Sequence, residues 1–280
     1  FVTDPKEPHY FALHRTGAAF TAPGDAHTIN RVAVTDLDAY LALYPAEHDY
    51  VALGDASVST MYYPEESIPE IKALNPDMKL VVMLREPVAR AWSSHQYMRA
   101  RGFETEADLL DAVALEEERK AAGWHHIWHY TSQSRYADQV AALLDAFPRE
   151  QVGVFFFDDL ESDYEGTLAR VLDFLGVSDP DDAGRDIPRV NISGRPRFAA
   201  AHTVLGWAVG NERVRTFVKD HTSYRFRERV RRTLLRQDVL PEAARDQLEP
   251  LFADDLVRLR AMLGPDGKQW PEWLTAGGTA

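Results

Sequence analysis

The sequence predicts an α/β protein with a central, mainly parallel sheet flanked by helices. Three observations carry this. Two apolar runs, Leu80–Leu84 (LVVML) and Gln151–Phe157 (QVGVFFF), are too short for core helices and read as strands buried on both faces. Helical patterns follow each run. The resulting order, strand–helix–helix–strand–helix, suits parallel strands joined by helical crossovers.

The elements follow in order along the chain. Residues 1–30 read as irregular, headed by FVTDPKEPHYFAL, an ordered loop rich in Pro and aromatic residues. Thr35 is placed to N-cap a helix through Tyr44, with Leu37, Tyr40, Leu41 and Tyr44 on one face. Tyr50–Leu53 is a short strand candidate, followed by the small-residue turn GDASVSTMYYP. A short helix starts at Ser67 or Pro69 and ends at Leu74. After the first long apolar run, Pro87 fixes φ where a helix can begin, Glu86 places negative charge at its N-terminus, and Gly102 can cap its end.

Glu104–Ala121 reads as one charged amphipathic helix, and Gly123–Tyr136 (GWHHIWHYTSQSRY) is dense in Trp and His. Tyr136–Phe147 is a helix with Val140, Leu143, Leu144 and Phe147 as its apolar stripe. Tyr164–Leu175 is another, closed by Gly176. Asp179–Pro196 is a loop rich in Asp, Pro and Gly. The rest reads as helical: Tyr224–Arg236 carries six arginines, and Pro241–Leu263 is a long amphipathic helix stopped by Gly264, with Trp270 and Trp273 packing the tail back. No internal repeat or low-complexity tract breaks the chain, so residues 1–280 read as one domain, of which 200–280 is the helical C-terminal part.

Composition narrows the function. The 280 residues are 45% hydrophobic and 27% charged, ordinary for a soluble globular protein. The net charge of −13 leaves no global basic field for nucleic acid. There is no cysteine, which excludes disulfides and thiolate metal sites. No run approaches 18 apolar residues and no signal peptide is visible, so the expectation is a soluble, cytoplasmic protein without a membrane span.

Several residues can carry chemistry. Arg85 stands at the carboxyl end of a strand, where open α/β sheets bind ligands, and Ser93 lies eight residues on. Together they make a phosphate clamp or, more plainly, a surface Arg and a helix-packing Ser. Asp55 in its Gly/Ser-rich turn faces a cleft or closes an Asx-turn. Asn191–Arg197 (NISGRPR) offers backbone N–H groups at Ser193 and Gly194, with Arg195 and Arg197 adding charge, or is a plain turn. The NIS triplet also matches a glycosylation sequon. Trp124, His125, His126, Trp128 and His129 suit a sugar or aromatic acceptor, although apolar packing is the commoner explanation and no HExxH-type pattern supports a metal. Arg225, Arg227, Arg229, Arg231, Arg232 and Arg236 spread round a helix and read as a solvated surface.

The stretch LREPVARAWSSHQY resembles the 3′-phosphate-binding motif of sulfotransferases that use 3′-phosphoadenosine 5′-phosphosulfate (PAPS), with Arg85, Pro87, Arg90 and Ser93 in its places. DPKEPHYFA, GDASVSTMYYP, FPREQVGVFFFDDL with TLARVLDFLGV, and RVNISGRPR are similar, in the same order, to further segments of bacterial and Golgi carbohydrate-type members. The resemblance implies a P-loop-kinase-like sulfotransferase fold and transfer of a sulfuryl group from PAPS to a hydroxyl of a carbohydrate, lipid or small natural product. The co-product is adenosine 3′,5′-bisphosphate, and no metal is required. It implies that Arg85, Arg90 and Ser93 hold the 3′-phosphate and that the Ser193–Gly194–Arg195 loop closes over the nucleotide. It further implies that Asp55 takes the acceptor's proton, that Lys6 neutralises the moving sulfuryl group, and that His9 touches the acceptor or serves as an alternative base. Asp55 stands where the family usually has Glu, and Val58 and Thr60 replace its Pro and Tyr.

The family's phosphosulfate-binding loop, of the form PK-x-GTTSL, occurs nowhere in the 280 residues. Phe1 begins inside what reads as structured sequence, so residues upstream are expected, and the stretch beginning at Phe1 is expected to bind PAPS weakly and turn over poorly. Two rivals stand beside this reading. One is a nucleotide-dependent kinase on a related fold, which needs a Walker GxxxxGK[ST] and a Mg²⁺-binding acid. The other is a catalytically inactive binding protein that has lost the loop.

Overall fold

Helix boundaries follow capping chemistry more closely than the apolar pattern. The computed structural model describes residues 1–47, 49–178, 238–264 and 270–275, with the backbone alone of 195–196 and 235–236. The N-terminal stretch, expected to be irregular, holds two single-turn helices, α1 (Tyr10–Leu13) and α2 (Ile29–Val32). α3 (Leu37–Leu41) is capped by Asp36, whose carboxylate accepts the Ala39 N–H at 2.8 Å, and not by Thr35. Of its expected apolar face, Tyr40 is buried while Leu37 and Leu41 are exposed. The strand expected at Tyr50–Leu53 does not form. Tyr50, Val51 and Leu53 are exposed, and the strand pairing among the described residues there is an isolated parallel bridge between Gly54 and Val2. So short a pairing leaves Val51 and Leu53 exposed, while the Tyr50 ring lies 5.3 Å from that of Phe1.

α4 (Ser59–Tyr62) precedes α5 (Pro64–Leu74), which starts earlier than expected because Pro64 at the first helical position has no N–H to lose. β1 (Leu80–Leu84) forms where the sequence places it, but it is buried on one face only: Val82 and Leu84 are inside, Val81 and Met83 outside. α6 (Pro87–Ala100) is capped by Glu86, whose carboxylate accepts the N–H groups of Val88 at 2.9 Å and Ala89 at 2.6 Å. The helix expected over Glu104–Ala121 starts later, because Asp108 caps the start of α7 (Leu109–Ala114) and Glu104 turns inward to pair with Arg119, and it divides at Leu115 from α8 (Glu116–Ala121). α9 (Ala137–Ala146) is capped from afar, with Asp255 accepting the N–H groups of Tyr136 at 2.8 Å and Ala137 at 3.1 Å.

β2 (Val152–Phe156) runs straight into α10 (Phe157–Ser162), a helix the sequence did not announce, and α11 (Tyr164–Leu175) ends at Gly176 with φ 74°. β3 (Arg195–Pro196) and β4 (Leu235–Arg236) pair antiparallel. The helix expected from Pro241 to Leu263 is broken into α12 (Glu242–Leu248), a 3₁₀ turn, and α13 (Ala253–Leu263), since Pro250 cannot donate to the ladder. α14 (Glu272–Thr275) closes the described chain. Of the Arg-rich stretch Tyr224–Arg236, only the β4 backbone is described, and it is strand; the remainder lies outside the described residues.

β1 and β2 pair in parallel from Leu80–Val152 to Leu84–Phe156. The chain between them supplies the crossover that a parallel pair needs. Val82, Leu84, Val152, Val154 and Phe156 pack with Val140 and Leu143 of α9, Leu259 and Leu263 of α13, and with Tyr10, Phe11 and Tyr40. Each such burial contributes about 1.5–3 kcal/mol. Trp270 and Trp273 pack against this core as expected, and Trp273 Nε1 donates to Asp158 at 3.0 Å. A second cluster joins α6, α7 and α12 through Val88, Ala91, Leu109 and Leu248. The α/β class is therefore the one expected. Among the described residues, no helix is long and apolar enough to cross a membrane.

Candidate active site

The β1–α6 turn carries Arg85, and Ser93 follows along α6. The Arg85 carbonyl accepts the Tyr136 hydroxyl at 2.8 Å, which pins the turn to the start of α9. Its guanidinium lies 4.7 Å from the centre of the Phe157 ring. Among the described residues it has no ion pair or hydrogen bond, so its N–H fork is free to take an oxyanion. Ser93 is half-buried in the second turn of α6, and its hydroxyl likewise bonds no described residue. Among the described residues, Arg85 at the end of β1 and Ser93 in the following helix thus each keep a polar group without a hydrogen-bond partner.

Arg90 is differently placed. It donates from Nε to Ser134 Oγ at 2.6 Å, from one terminal nitrogen to Gln133 Oε1 at 2.6 Å, and from the other to the Tyr130 carbonyl at 2.8 Å. Three of its five N–H groups are thus engaged with the Tyr130–Ser134 turn. Glu116 holds the same turn from the opposite side, accepting the Thr131 N–H at 2.7 Å, the Thr131 hydroxyl at 2.9 Å and the Ser132 N–H at 2.9 Å. Burial works to raise the Glu116 carboxyl, but these hydrogen bonds outweigh it and hold it below its ordinary value. No sequence signal marked Glu116 within its charged run.

The other predicted residues come together by alignment of two segments about fifty residues apart. Phe1–His9 runs beside Ala52–Ser59. Gly54 N–H donates to the Phe1 carbonyl at 2.9 Å, Thr3 N–H to Gly54 at 3.3 Å and Ala56 N–H to Lys6 at 3.2 Å. At the far end, His9 N–H donates to Ser57 Oγ at 2.9 Å, and His9 Nδ1 shares a hydrogen bond with Ser59 Oγ at 2.8 Å. The alignment places Lys6, Glu7, His9 and Asp55 in one region.

The two carboxylates of this region are both held above their ordinary values. Burial is the chief cause for Asp55, opposed by hydrogen bonds from Ser57 and Tyr40. For Glu7 burial again leads; Lys6, 3.7 Å away, opposes it, and the Asp55 charge adds to it. The Ser57 N–H reaches Asp55 at 2.7 Å, the Asx-turn the sequence allowed, and the Tyr40 hydroxyl reaches it at 3.2 Å. Glu7 sits beside Lys6 in the KEPH motif, yet the motif alone gave it no role; its closeness to Asp55 appears only in three dimensions. Tyr40 likewise carried only an expectation of packing.

His9 is buried with φ 58°, and burial, with His125 nearby, pulls its imidazole down to about 4. It therefore stands neutral at the rim of a buried histidine group. His125 Nε2 pairs with Asp25 at 3.1 Å, His129 Nδ1 meets the Tyr62 hydroxyl at 2.8 Å, and the His126 ring lies edge-on to Tyr63. His125, His126, Trp128 and His129 are all buried, so this segment packs inward. Among the described residues no group of three His, Asp or Glu is set to hold a metal ion.

Ser193 and Gly194 lie outside the described residues, as do Arg197 and the side chain of Arg195. The Arg195–Pro196 backbone, as β3, lies against α6, the helix that carries Ser93.

The sequence profile of the Sulfotransferase family matches residues 17–181. Mouse carbohydrate sulfotransferase 15 is 25% identical over 218 residues, 61% of this chain and 38% of its own length. Mouse heparan sulfate glucosamine 3-O-sulfotransferase 3B1 is 30% identical over 117 residues, 41% of this chain and 29% of its own. The chain thus spans less than two fifths of the length of these curated relatives. The crystal structure of a sulfotransferase from Alicyclobacillus acidocaldarius superposes with a TM-score of 0.71 at 26% identity, covering 98% of this chain and 87% of that one.

Proposed function

The chain belongs to the sulfotransferase family, and on that footing we propose that it moves a sulfuryl group from PAPS to a hydroxyl of a carbohydrate acceptor. The observation that carries this reading is the alignment of the Lys6–His9 segment with the Asp55–Ser59 turn, which brings the half-buried carboxylate of Glu7, paired with Lys6, within the field of the half-buried Asp55. The Arg85 fork, which among the described residues has no hydrogen bond or ion pair and lies 4.7 Å from the Phe157 ring centre, supports the donor side. The names of the mammalian relatives support a carbohydrate as acceptor.

Arg85 and Ser93 bind the donor's 3′-phosphate, and Arg90 holds the Tyr130–Ser134 turn behind them. Ser193, Gly194 and Arg195 close over the nucleotide. Asp55 takes the proton of the acceptor hydroxyl, a contribution of about 10²–10⁴ in rate. Lys6 offsets the charge on the sulfuryl oxygens. His9, neutral and bonded to Ser59, anchors the segment that carries Lys6. When bound, PAPS supplies the sulfuryl group, and adenosine 3′,5′-bisphosphate leaves as the acceptor oxygen bonds to sulfur. Glu7 is a second candidate for the base, because it lies within the field of Asp55 and is raised in the same way.

The test is transfer of labelled sulfate from PAPS to carbohydrate, lipid and phenolic acceptors, with calorimetry of adenosine 3′,5′-bisphosphate binding. Label in the carbohydrate is expected. Arg85→Ala should weaken the nucleotide by about tenfold to a hundredfold, the worth of a charge-assisted hydrogen bond. Phosphate transfer from ATP would favour a kinase, and binding without transfer an inactive relic. Unchanged affinity in Arg85→Ala would remove the phosphate-site assignment.

A further inference from the structure

We propose that Tyr40 and Tyr44 are positioning residues that hold Asp55 as an oriented carboxylate through a directed chain of hydroxyl hydrogen bonds. This rests on the reading of Asp55 as the proton acceptor.

The direction of the chain follows from counting protons. The Tyr40 hydroxyl lies 2.8 Å from the Tyr44 hydroxyl and 3.2 Å from Asp55 Oδ2. A phenol has one proton to donate. Given to the carboxylate, it leaves the Tyr40 oxygen to accept from Tyr44. The chain therefore runs Tyr44 to Tyr40 to Asp55, and each donor strengthens the next. Burial raises the Tyr40 hydroxyl well above its ordinary value, so it remains a donor throughout the working pH range.

The surroundings fix the geometry. Tyr40 is fully buried; its ring stacks on Tyr10 at 4.3 Å and meets Phe11 edge-on at 5.4 Å. Tyr10 and Phe11 directly follow the Lys6–His9 segment. One side chain thus supports that segment through its ring and Asp55 through its hydroxyl. The other Asp55 oxygen is held by the Ser57 N–H. Among the described residues, the charged and titratable groups facing Asp55 are Tyr40 of α3, Tyr44 just beyond that helix, and Glu7 with its partner Lys6 from the N-terminal segment. The two tyrosines are the ones that stabilise the carboxylate without bringing a charge of their own.

Tyr40→Phe removes the hydroxyl and keeps the stacked ring. In the whole chain, with ¹³C-labelled aspartate, the Asp55 titration midpoint should rise by about one unit in Tyr40→Phe. The rise should be smaller in Tyr44→Phe and absent in Tyr10→Phe, which disturbs the same stack without touching Asp55. The acid limb of kcat/KM for sulfate transfer should move with the midpoint. No shift in Tyr40→Phe, or an equal shift in Tyr10→Phe, overturns the proposal. A shifted midpoint in a protein that transfers no sulfate leaves the positioning role standing and removes the activity. Transfer with an unmoved midpoint does the reverse.

Discussion

The His9 backbone N–H donates to Ser57 Oγ at 2.9 Å, and Ser57 in turn donates its own N–H to Asp55. One serine therefore joins the two motifs from which the site is built. Ser57→Ala should leave the His9 N–H unpaired in a buried place, at a residue already in the left-handed region. A stability loss of about 1–3 kcal/mol is expected in urea unfolding, with reduced turnover. Ser57→Thr, which keeps the oxygen, should recover most of it.

If Asp55 is the base, as proposed, its loss should cost more than that of Glu7, the second candidate. Asp55→Asn should lower kcat by about 10²–10⁴ with little change in acceptor KM, and Glu7→Gln should lower it less. Steady-state kinetics on the two variants decides the order. A larger loss in Glu7→Gln would pass the role of base to Glu7.

Glu104 and Arg119 form a buried two-point ion pair, at 2.6 and 2.9 Å, with the Tyr130 hydroxyl also on Glu104 at 2.7 Å. Glu104→Gln leaves Arg119 charged and uncompensated, at a cost of about 3–5 kcal/mol. Replacing both partners with apolar residues should recover part of the loss. Burial pushes the Glu104 carboxyl up, but Arg119, the Glu106 N–H and Tyr130 prevail and hold it below its ordinary value of 4.5. Its stabilising contribution is therefore present above pH 4.5 and lost as pH falls through the lower folded value. Thermal unfolding of Glu104→Gln and the parent should converge in that acid window.

His9 and His129 give a pH dependence in a different window. Burial holds both at about 4, against 6.5 for the free imidazole. Between these values the unfolded chain binds more protons than the folded one. Stability from keeping the rings neutral is thus complete above pH 6.5 and declines as pH falls towards 4, by about 1.4 kcal/mol per pH unit for each ring. Urea midpoints should fall steeply across that range, and His129→Gln should flatten the slope by about a third, because burial holds His126 below its ordinary value as well. A level profile down to pH 4.5 would show that the rings are not buried neutral.

The parts legible beforehand were local. Leu80–Leu84 and Val152–Phe156 declare themselves as strands by apolar runs of strand length, and Pro87 and Glu86 declare the start of the following helix by their own stereochemistry. Helix breaks were less legible. Asp108 caps a helix start inside one periodic pattern and Pro250 interrupts another, and a pattern read by its apolar period passes over both. Tyr50–Leu53 misled for a related reason: its composition suits a strand, but strand composition does not supply a partner.

The sequence by itself determined the α/β class, the Arg85–Ser93 spacing on a strand-to-helix turn, and the order of segments that places the chain in its family. These are properties of neighbours along the chain, where backbone geometry and capping act over a few residues. Only the tertiary structure decided that Glu7 lies within the field of Asp55, that Arg90 is engaged with the Tyr130–Ser134 turn, and that Tyr40 turns its hydroxyl to the carboxylate. Desolvation and hydrogen bonding depend on what packs alongside, and those partners stand 15 to 48 residues away in the chain.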